Sequence, residues 1–287
     1  MSTVLRETDA PVPLPGPEHR GMLSAGLVIV VTFAAVEALA VATILPKVRD
    51  DIGGTAFYGW AFSAFLLASI VGLTWAGELA DRRGPALPFA AGLGVFAAGL
   101  VVAGLAPSMA VVAVGRALQG FGAGAIPTVA YVVIGRAYEP ERRARMFAYL
   151  SSAWVVPGLV GPGLAALVVE VSSWRVVFLG LLIPLAAVVP LVLPSLRRLG
   201  PPQPAALPPS RLIPSALTAL TAGLVLGGVS LASGGRPEGL LVAAAGTVAA
   251  IPPLRRVLPE GAARLRAGLP ALVVSNAFLN LSFFAAE

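Results

Sequence analysis

Gly77-Glu78-Leu79-Ala80-Asp81-Arg82-Arg83-Gly84-Pro85 is a short charged segment between two long apolar runs, and it decides the fold. Charged side chains are costly in a bilayer core, so this segment is expected at a membrane surface. It then joins two spanning helices, because helices satisfy their own backbone hydrogen bonds in lipid. The glycines at its two ends permit a tight reversal of the chain. Its aspartate and two arginines form a fixed charge cluster at the interface.

Composition indicates the same class of protein. The 287-residue chain is 57% hydrophobic and 12% charged, with a mean hydropathy of +0.88, which soluble domains of this size do not normally reach. The absence of cysteine excludes disulfides and thiolate chemistry, and the single histidine, His19, offers no metal cluster. No catalytic triad or phosphate-binding loop is recognisable in the sequence. We therefore expect no enzyme, no cofactor and no metal.

Apolar runs of about 18 residues or more are long enough to span a bilayer. The Pro-rich, basic segment 195–211 cannot span and is interpreted as a linker. We predict an all-α polytopic membrane protein with eight helices and the start of a ninth. The predicted spans are 23–46, 58–78, 87–106, 108–135, 146–169, 176–194, 212–233, 239–254 and 268–287.

Lysine and arginine are distributed unevenly over the loops that alternate between the two membrane faces. Fifteen of the 20 lie in the N-terminal tail and in the loops on its side, and four lie in the opposite loops. Cytoplasmic loops carry the excess of basic residues, so the N-terminus and segment 77–85 are expected in the cytoplasm. The net charge of +6 is then explained by orientation in a plasma (inner) membrane, not by nucleic-acid binding.

Two charges fall inside predicted helices. Glu37 lies about 13 Å below Pro46, which is the predicted outer end of its helix. Arg116 lies about 10 Å below the outer end of its own helix. Such charges are expected to face an aqueous cavity or each other. One interpretation is a structural pair that joins two helices, or helix ends that lie a few residues from the predicted positions. The other is proton coupling, in which the shape of the cavity shifts Glu37 between protonated and ionised forms while Arg116 tunes it or holds an anionic group.

Five fragments, in order, resemble motifs of the major facilitator superfamily of transporters. Segment 77–85 is similar to its Gly-x-Leu-Ala-Asp-Arg-x-Gly-Arg-Lys loop. Segment 36–46 looks like the helix 1 motif of drug:proton antiporters, where an acidic residue precedes Leu-Pro. Segment 116–124 resembles the helix 4 motif Arg-x-x-Gln-Gly-x-Gly, and 157–166 the helix 5 motif Gly-x-x-x-Gly-Pro-x-x-Gly-Gly. Segment 173–178 opens helix 6 in the family's manner.

The resemblance implies roles for the matching positions. The loop would control a conformational state, the helix 4 motif would belong to the proton-coupling site, and the helix 5 motif would mark antiport. Pro85 and Ala86 stand where the loop motif carries basic residues. Pro157, Ala165 and Ala166 stand where the helix 5 motif carries glycines. The matching residues are Gly77, Asp81, Arg82 and Gly84 in the loop; Arg116, Gln119, Gly120 and Gly122 in helix 4; and Gly158, Gly161, Pro162 and Gly163 in helix 5.

Two helices after the linker resemble the fourteen-helix branch of the drug antiporters. The resemblance implies a chain truncated at its C-terminus, with a second bundle that begins in 268–287. Asn276 and Asn280 would face the cavity there or bond between helices. The implied organisation is a cytoplasmic tail (1–22), a six-helix transport bundle (23–194), a cytoplasmic linker (195–211), two additional helices (212–254), a basic cytoplasmic loop (255–267) and the incomplete bundle (268–287).

Three functions remain open from the sequence. The first is proton-driven efflux of small amphipathic organic compounds by alternating access, for which aromatic residues such as Trp60 and Trp154 would line an apolar cavity. The second is a metabolite symporter or facilitator of the same superfamily. The third is a truncated membrane fragment that does not transport. The expected partners are the lipid bilayer, the substrate and protons, and a complete chain is expected to be a monomer.

Overall fold

The computed structural model of the protein describes residues 17–201 and 210–258. Regular structure in these two ranges is entirely helical, and eight segments are long and apolar enough to cross a membrane. This confirms the all-α polytopic fold. The predicted ninth helix, 268–287, lies outside the described residues.

The helices are α1 (Pro17–Ile52), α2 (Tyr58–Arg83), α3 (Ala86–Gly104), α4 (Met109–Ala137), α5 (Pro140–Val171), α6 (Trp174–Gly180), α7 (Leu182–Leu199), α8 (Leu212–Ser233) and α9 (Glu238–Val257), with a short 3₁₀ turn, Thr55–Phe57, before α2.

The chain divides into two compact units, Met1–Pro209 and Ser210–Glu287. The first contains α1 to α7, with α6 and α7 together forming one span. The second contains α8 and α9, which form an antiparallel hairpin. In that hairpin a Cβ at Gly228 or Gly239 would overlap the backbone of the facing helix, so these glycines permit the close approach.

Helix α4 packs between α2 and α3 and forms the centre of the first unit. Glycines on two of its faces make this possible. A Cβ at Gly120 would overlap the backbone of Phe65 on α2, and one at Gly122 would lie 2.6 Å from Phe96 Cβ on α3. Small residues of this kind let membrane helices approach backbone to backbone. The α4 glycines therefore fix how deeply α2 and α3 sit against the central helix.

Helix α1 packs along α5 and α7. Its neighbour on α5 is the Gly161 region, where a Cβ would lie 4.0 Å from the carbonyl oxygen of Val36. Its buried side includes Val30, Val41 and Leu45, all almost fully shielded from solvent. The residue between these apolar positions that breaks the pattern is Glu37, which is equally buried.

The reversal between α2 and α3 is shorter than the sequence predicts. The expectation of a turn with a glycine at each end was wrong for Gly77, because α2 continues through Arg83. Glu, Leu, Ala and Arg favour a helix, so the charged segment adds turns to α2 instead of interrupting it. Gly84 ends the helix with a φ of 82° and donates its N–H to the Ala80 carbonyl. The chain reverses only at Gly84-Pro85.

Other helices also run past the predicted spans. Helix α1 continues through Pro46 to Ile52, α7 continues to Leu199 inside the predicted linker, and α9 ends at Val257 inside the predicted basic loop. The apolar criterion stops at the first charges, whereas a helix persists at the membrane surface. Arginines in the last turns of α7 and α9 are also favourable near a helix C-terminus.

The end of α1 is tied to two other segments by a group of contacts that we call the Asp51 cluster. The indole N–H of Trp174 donates to Asp51 at 2.9 Å, and Arg175 donates to the same carboxylate at 3.2 Å. Arg175 also donates to the Ala106 carbonyl at 3.1 Å and lies over the Trp174 ring. The cluster therefore joins the end of α1, the α3–α4 turn and the start of α6.

Candidate proton-coupling site

Glu37 and Arg116, which the sequence places at similar depths, are in direct contact. Arg116 Nη1 donates a hydrogen bond to Glu37 Oε1 and forms a salt bridge with it. Glu37 is fully buried on α1 and Arg116 is 3% exposed on α4. The two charges therefore face each other inside the helix bundle. Paired ionised groups are the form in which buried charges are tolerated.

Arg116 has three further partners. Its Nη1 donates to Gln119 Oε1 at 3.0 Å, one helical turn along α4. Its Nε donates to the carbonyl oxygen of Ala61 on α2 at 3.1 Å. The guanidinium carbon also lies 4.1 Å from the centre of the Phe65 ring, a cation–π geometry. The guanidinium is thus held mainly by α2 and α4, and Glu37 reaches it from α1.

Two buried polar atoms at this site have no hydrogen-bond partner within the described residues. They are Glu37 Oε2 and Gln119 Nε2. One is an acceptor when the carboxyl group is ionised, and the other is a donor. Unsatisfied polar atoms are unusual in a bundle interior and call for a functional explanation. Glu37 Oε2 is the carboxylate oxygen that Arg116 does not engage.

The remaining helix 4 motif residues serve the scaffold of this site. Gly120 and Gly124 bring the α2 backbone against α4, and a Cβ at Gly124 would overlap Ser69. This close packing places the Ala61 carbonyl and the Phe65 ring within reach of Arg116. Sequence reasoning missed both of these partners. The i, i+3 spacing of Arg116 and Gln119, which puts them on one helix face, indicates only the contact between those two residues.

The predicted loop residues do not meet the buried pair. Asp81 and Arg82 are exposed in the last turns of α2, where Arg82 lies 3.9 Å from Glu78. Gly84 is buried, and its backbone packs against the carbonyl of Gly200, at the end of α7. A residue that the sequence did not single out also reaches this point. Arg136 of α4 donates to the carbonyls of Leu199 and Gly200 at 3.2 and 3.3 Å, so α4 holds the end of α7.

The helix 5 motif lies along α1. Of its residues Gly161 is buried, Pro162 is half-buried, and Gly158 and Gly163 are exposed. Proline and glycine remain within the continuous helix α5. Gly161 approaches the α1 backbone one residue before Glu37, so the motif borders the buried pair without bonding to it.

Two apolar cavities lie in the first unit. One of about 240 Å³ lies between α1, α5 and α6, and its lining includes Val36 and Gly161. The other, of about 350 Å³, lies between α3 and α7. Neither lining includes the predicted aromatic residues: Trp60 is half-buried at the start of α2, and Trp154 is 47% exposed on α5. Asn276 and Asn280 lie outside the described residues. No cluster of metal-ligating side chains occurs in 17–201 or 210–258.

Comparison with known proteins places the chain in a family. The model of the Major Facilitator Superfamily matches residues 25–285. Multidrug transporter protein MdtP of Bacillus subtilis (strain 168) is 31% identical over 159 residues, which cover 55% of this chain and 29% of that protein. Multidrug efflux pump SdrM of Staphylococcus aureus (strain N315) is 25% identical over 152 residues, which cover 53% of this chain and 34% of that protein. The matched segments thus span about a third or less of these relatives.

The fold agrees with the family match. The proton:xylose symporter XylE, solved with 6-bromo-6-deoxy-D-glucose bound, superposes with a TM-score of 0.55 at 12% identity, covering 86% of this chain and 55% of that chain. At this identity the likeness concerns the fold alone. The family comprises membrane transporters rather than enzymes, and its members are multi-pass proteins in contact with lipid. A family model that matches most of the chain and a shared helical fold together show that the chain belongs to the Major Facilitator Superfamily.

Proposed function

We propose that this chain is the proton-coupling part of a transporter that exports small amphipathic organic compounds in exchange for protons. The observation that carries the proposal is the buried Glu37–Arg116 pair, in which one carboxylate oxygen has no partner among the described residues. The names of relatives from Bacillus subtilis and Staphylococcus aureus, a multidrug transporter and a multidrug efflux pump, support the substrate class.

The proposed chemistry is a proton exchange at Glu37. In the ionised state Glu37 Oε1 accepts from Arg116, and Oε2 is the position that takes a proton. Protonation removes the charge attraction between α1 and α4 and leaves Arg116 on its α2 and α4 partners. Alternating access supplies two environments for the carboxyl group, and substrate on one side is exchanged for a proton on the other. Arg116 keeps its own charge throughout, because a guanidinium does not release its proton under ordinary conditions.

The other predicted sites have supporting roles in this proposal. The residues at the α2–α3 reversal (Gly77, Asp81, Arg82 and Gly84) would stabilise one conformational state. Helix α5 would move along α1 through its small residues at Gly158, Gly161 and Gly163. The apolar faces of α2 and α5, with Trp60 and Trp154, would contact substrate, as would Asn276 and Asn280.

The proposed arrangement in the membrane follows the charge bias. The N-terminus and the α2–α3 reversal would face the cytoplasm from an inner membrane, and the working protein would be a monomer. The six spans from α1 to α7 would form the transport bundle, and α8 and α9 the two additional helices. Their separation into distinct compact units supports this division.

The test is transport by protein produced from its natural reading frame and reconstituted in liposomes. Glu37→Gln keeps the size of the side chain and removes its titration, so export driven by a pH gradient should disappear while exchange of substrate down its own gradient remains. Glu170→Gln, which changes an exposed carboxylate on α5, is the matched control and should keep the drive. Undiminished pH-driven export by Glu37→Gln would refute the proposal. Proton-driven uptake would favour the symporter alternative.

A further inference from the structure

Gln119 belongs to the helix 4 motif, but its own role at the buried pair has not yet been assigned. It is fully buried on α4, and its side-chain oxygen accepts from the same Arg116 nitrogen that binds Glu37. We propose that Gln119 is a positioning residue that divides Arg116 between two acceptors and keeps the guanidinium on α4 when Glu37 is protonated. The inference rests on the proposed function of Glu37 as the proton carrier.

The sharing of one nitrogen is the first observation. Arg116 Nη1 carries two N–H groups, and its two acceptors are Glu37 Oε1 and Gln119 Oε1. A bidentate ion pair would instead place a second nitrogen on Glu37 Oε2, yet that oxygen has no partner among the described residues. Gln119 therefore holds Arg116 in a geometry that engages only one carboxylate oxygen. The ion pair therefore joins α1 to α4 through one carboxylate oxygen.

The confinement of Gln119 is the second observation. The α3 backbone lies directly against it, since a Cβ at Gly99 would stand 2.6 Å from Gln119 N and 2.7 Å from its Cγ. The amide nitrogen Nε2 has no partner within the described residues. A leucine would fill this position without leaving a buried donor unsatisfied. In the part of the chain that the structure describes, the hydrogen bond to Arg116 is the one polar interaction of this side chain, so it accounts for a glutamine here.

The charges around Glu37 are few enough for a clear prediction. Helices α2, α4, α5, α6 and α7 pack against α1. Helix α4 contributes Arg116 to Glu37, α2 contributes the Ala61 carbonyl and the Phe65 ring to Arg116, and α5 faces α1 with glycines. The charged residues of α6 and α7 are Arg175, which binds Asp51, and Arg197 and Arg198 in the last turn of α7. Within the described residues no second titratable group bonds to either partner. A change at Gln119 therefore acts on Glu37 through Arg116.

Two nearly isosteric variants should move the pH profile in opposite directions. Gln119→Leu removes the competing acceptor, so Arg116 can turn fully to Glu37 and favour its ionised form. The pH profile of transport should then move to lower pH by about one unit or more. Gln119→Glu keeps an acceptor for Arg116 and adds a competing charge, so the profile should move to higher pH. Thr128→Val, which removes a hydrogen bond within α4 at a distance from Arg116, is the control and should leave the profile unchanged.

A second readout separates this inference from the proposed function. Infrared difference spectra can follow the Glu37 carboxyl band, identified by its loss in Glu37→Gln, and its pH dependence should move with each Gln119 variant as stated above. Opposite shifts support the positioning role even if Glu37→Gln retains pH-driven export, which would refute the proposed function alone. Unchanged bands, or shifts of the same sign in both variants, would overturn the positioning role. A general packing defect would not shift the two variants in opposite directions.

Discussion

The buried pair predicts a strongly non-additive effect on stability. Arg116→Met leaves Glu37 buried without a cation and also removes the donor to Gln119 and Ala61. Loss of one partner from a buried ion pair costs about 3–5 kcal/mol of unfolding free energy. Glu37→Leu leaves the guanidinium with neutral partners only, and a similar cost is expected. Additive behaviour would thus give a loss of roughly 6–10 kcal/mol in the double variant.

The expected loss in the double variant is much smaller. Replacement of both charges by apolar residues of similar volume is close to neutral or stabilising. The acceptors left behind, Gln119 Oε1 and the Ala61 carbonyl, each cost about 1 kcal/mol or more, and part of this is offset by the removal of two buried charges. We expect Glu37→Leu/Arg116→Met to lie within about 2 kcal/mol of the wild type, which is a coupling energy of at least about 4 kcal/mol.

The measurement is reversible unfolding of the protein in mixed micelles, followed by tryptophan fluorescence as the denaturing detergent fraction rises. The control cycle uses Glu78 and Arg82, whose side chains are 24% and 49% exposed and lie 3.9 Å apart. That exposed pair should show a coupling of at most about 1 kcal/mol. A double variant of the buried pair that loses as much stability as the two single variants together would refute the reasoning, because the two charges would then not depend on each other.

Three further predictions concern the scaffold, each checked by thermal unfolding. Gly120→Ala should lose about 1–3 kcal/mol or more because its Cβ would overlap the α2 backbone, whereas Gly135→Ala, in open space on the same helix, should be neutral or slightly stabilising; equal effects would contradict the packing described. Gly84→Ala should lose about 1–3 kcal/mol, since its φ of 82° strains any other residue. Trp174→Phe should lose about 1 kcal/mol with its hydrogen bond to Asp51, and no loss would show that the bond contributes nothing.

The number and order of helices could be predicted from the sequence because spanning length is a property of composition alone. Eight runs were predicted in the described ranges, and eight spans are present there. The helix ends could not be predicted in the same way. Charged residues end an apolar run but not a helix, as α2 shows by continuing through Asp81 and Arg83. The same reason explains the extension of α7 to Leu199.

The site could be predicted in part. Similar depth on two helices was enough to expect Glu37 and Arg116 to face a cavity or each other, and they are in contact. Their role in proton coupling stays a prediction. The Ala61 carbonyl and the Phe65 ring could not be found, because a backbone acceptor and an aromatic face carry no pattern in the sequence. They follow only from the distance between two helices.

The distance between α2 and α4 determines which groups can bind Arg116. Gly120 and Gly124 allow α2 to approach α4 until a helix carbonyl and a ring serve as partners for Arg116. With larger residues at these positions the guanidinium would have only Glu37 and Gln119, and protonation of Glu37 would leave a buried charge with one neutral acceptor. Such a charge would be unstable in lipid. In the proposed proton exchange, the close packing of α2 and α4 would lower the cost of leaving Arg116 without its counter-ion while Glu37 is protonated.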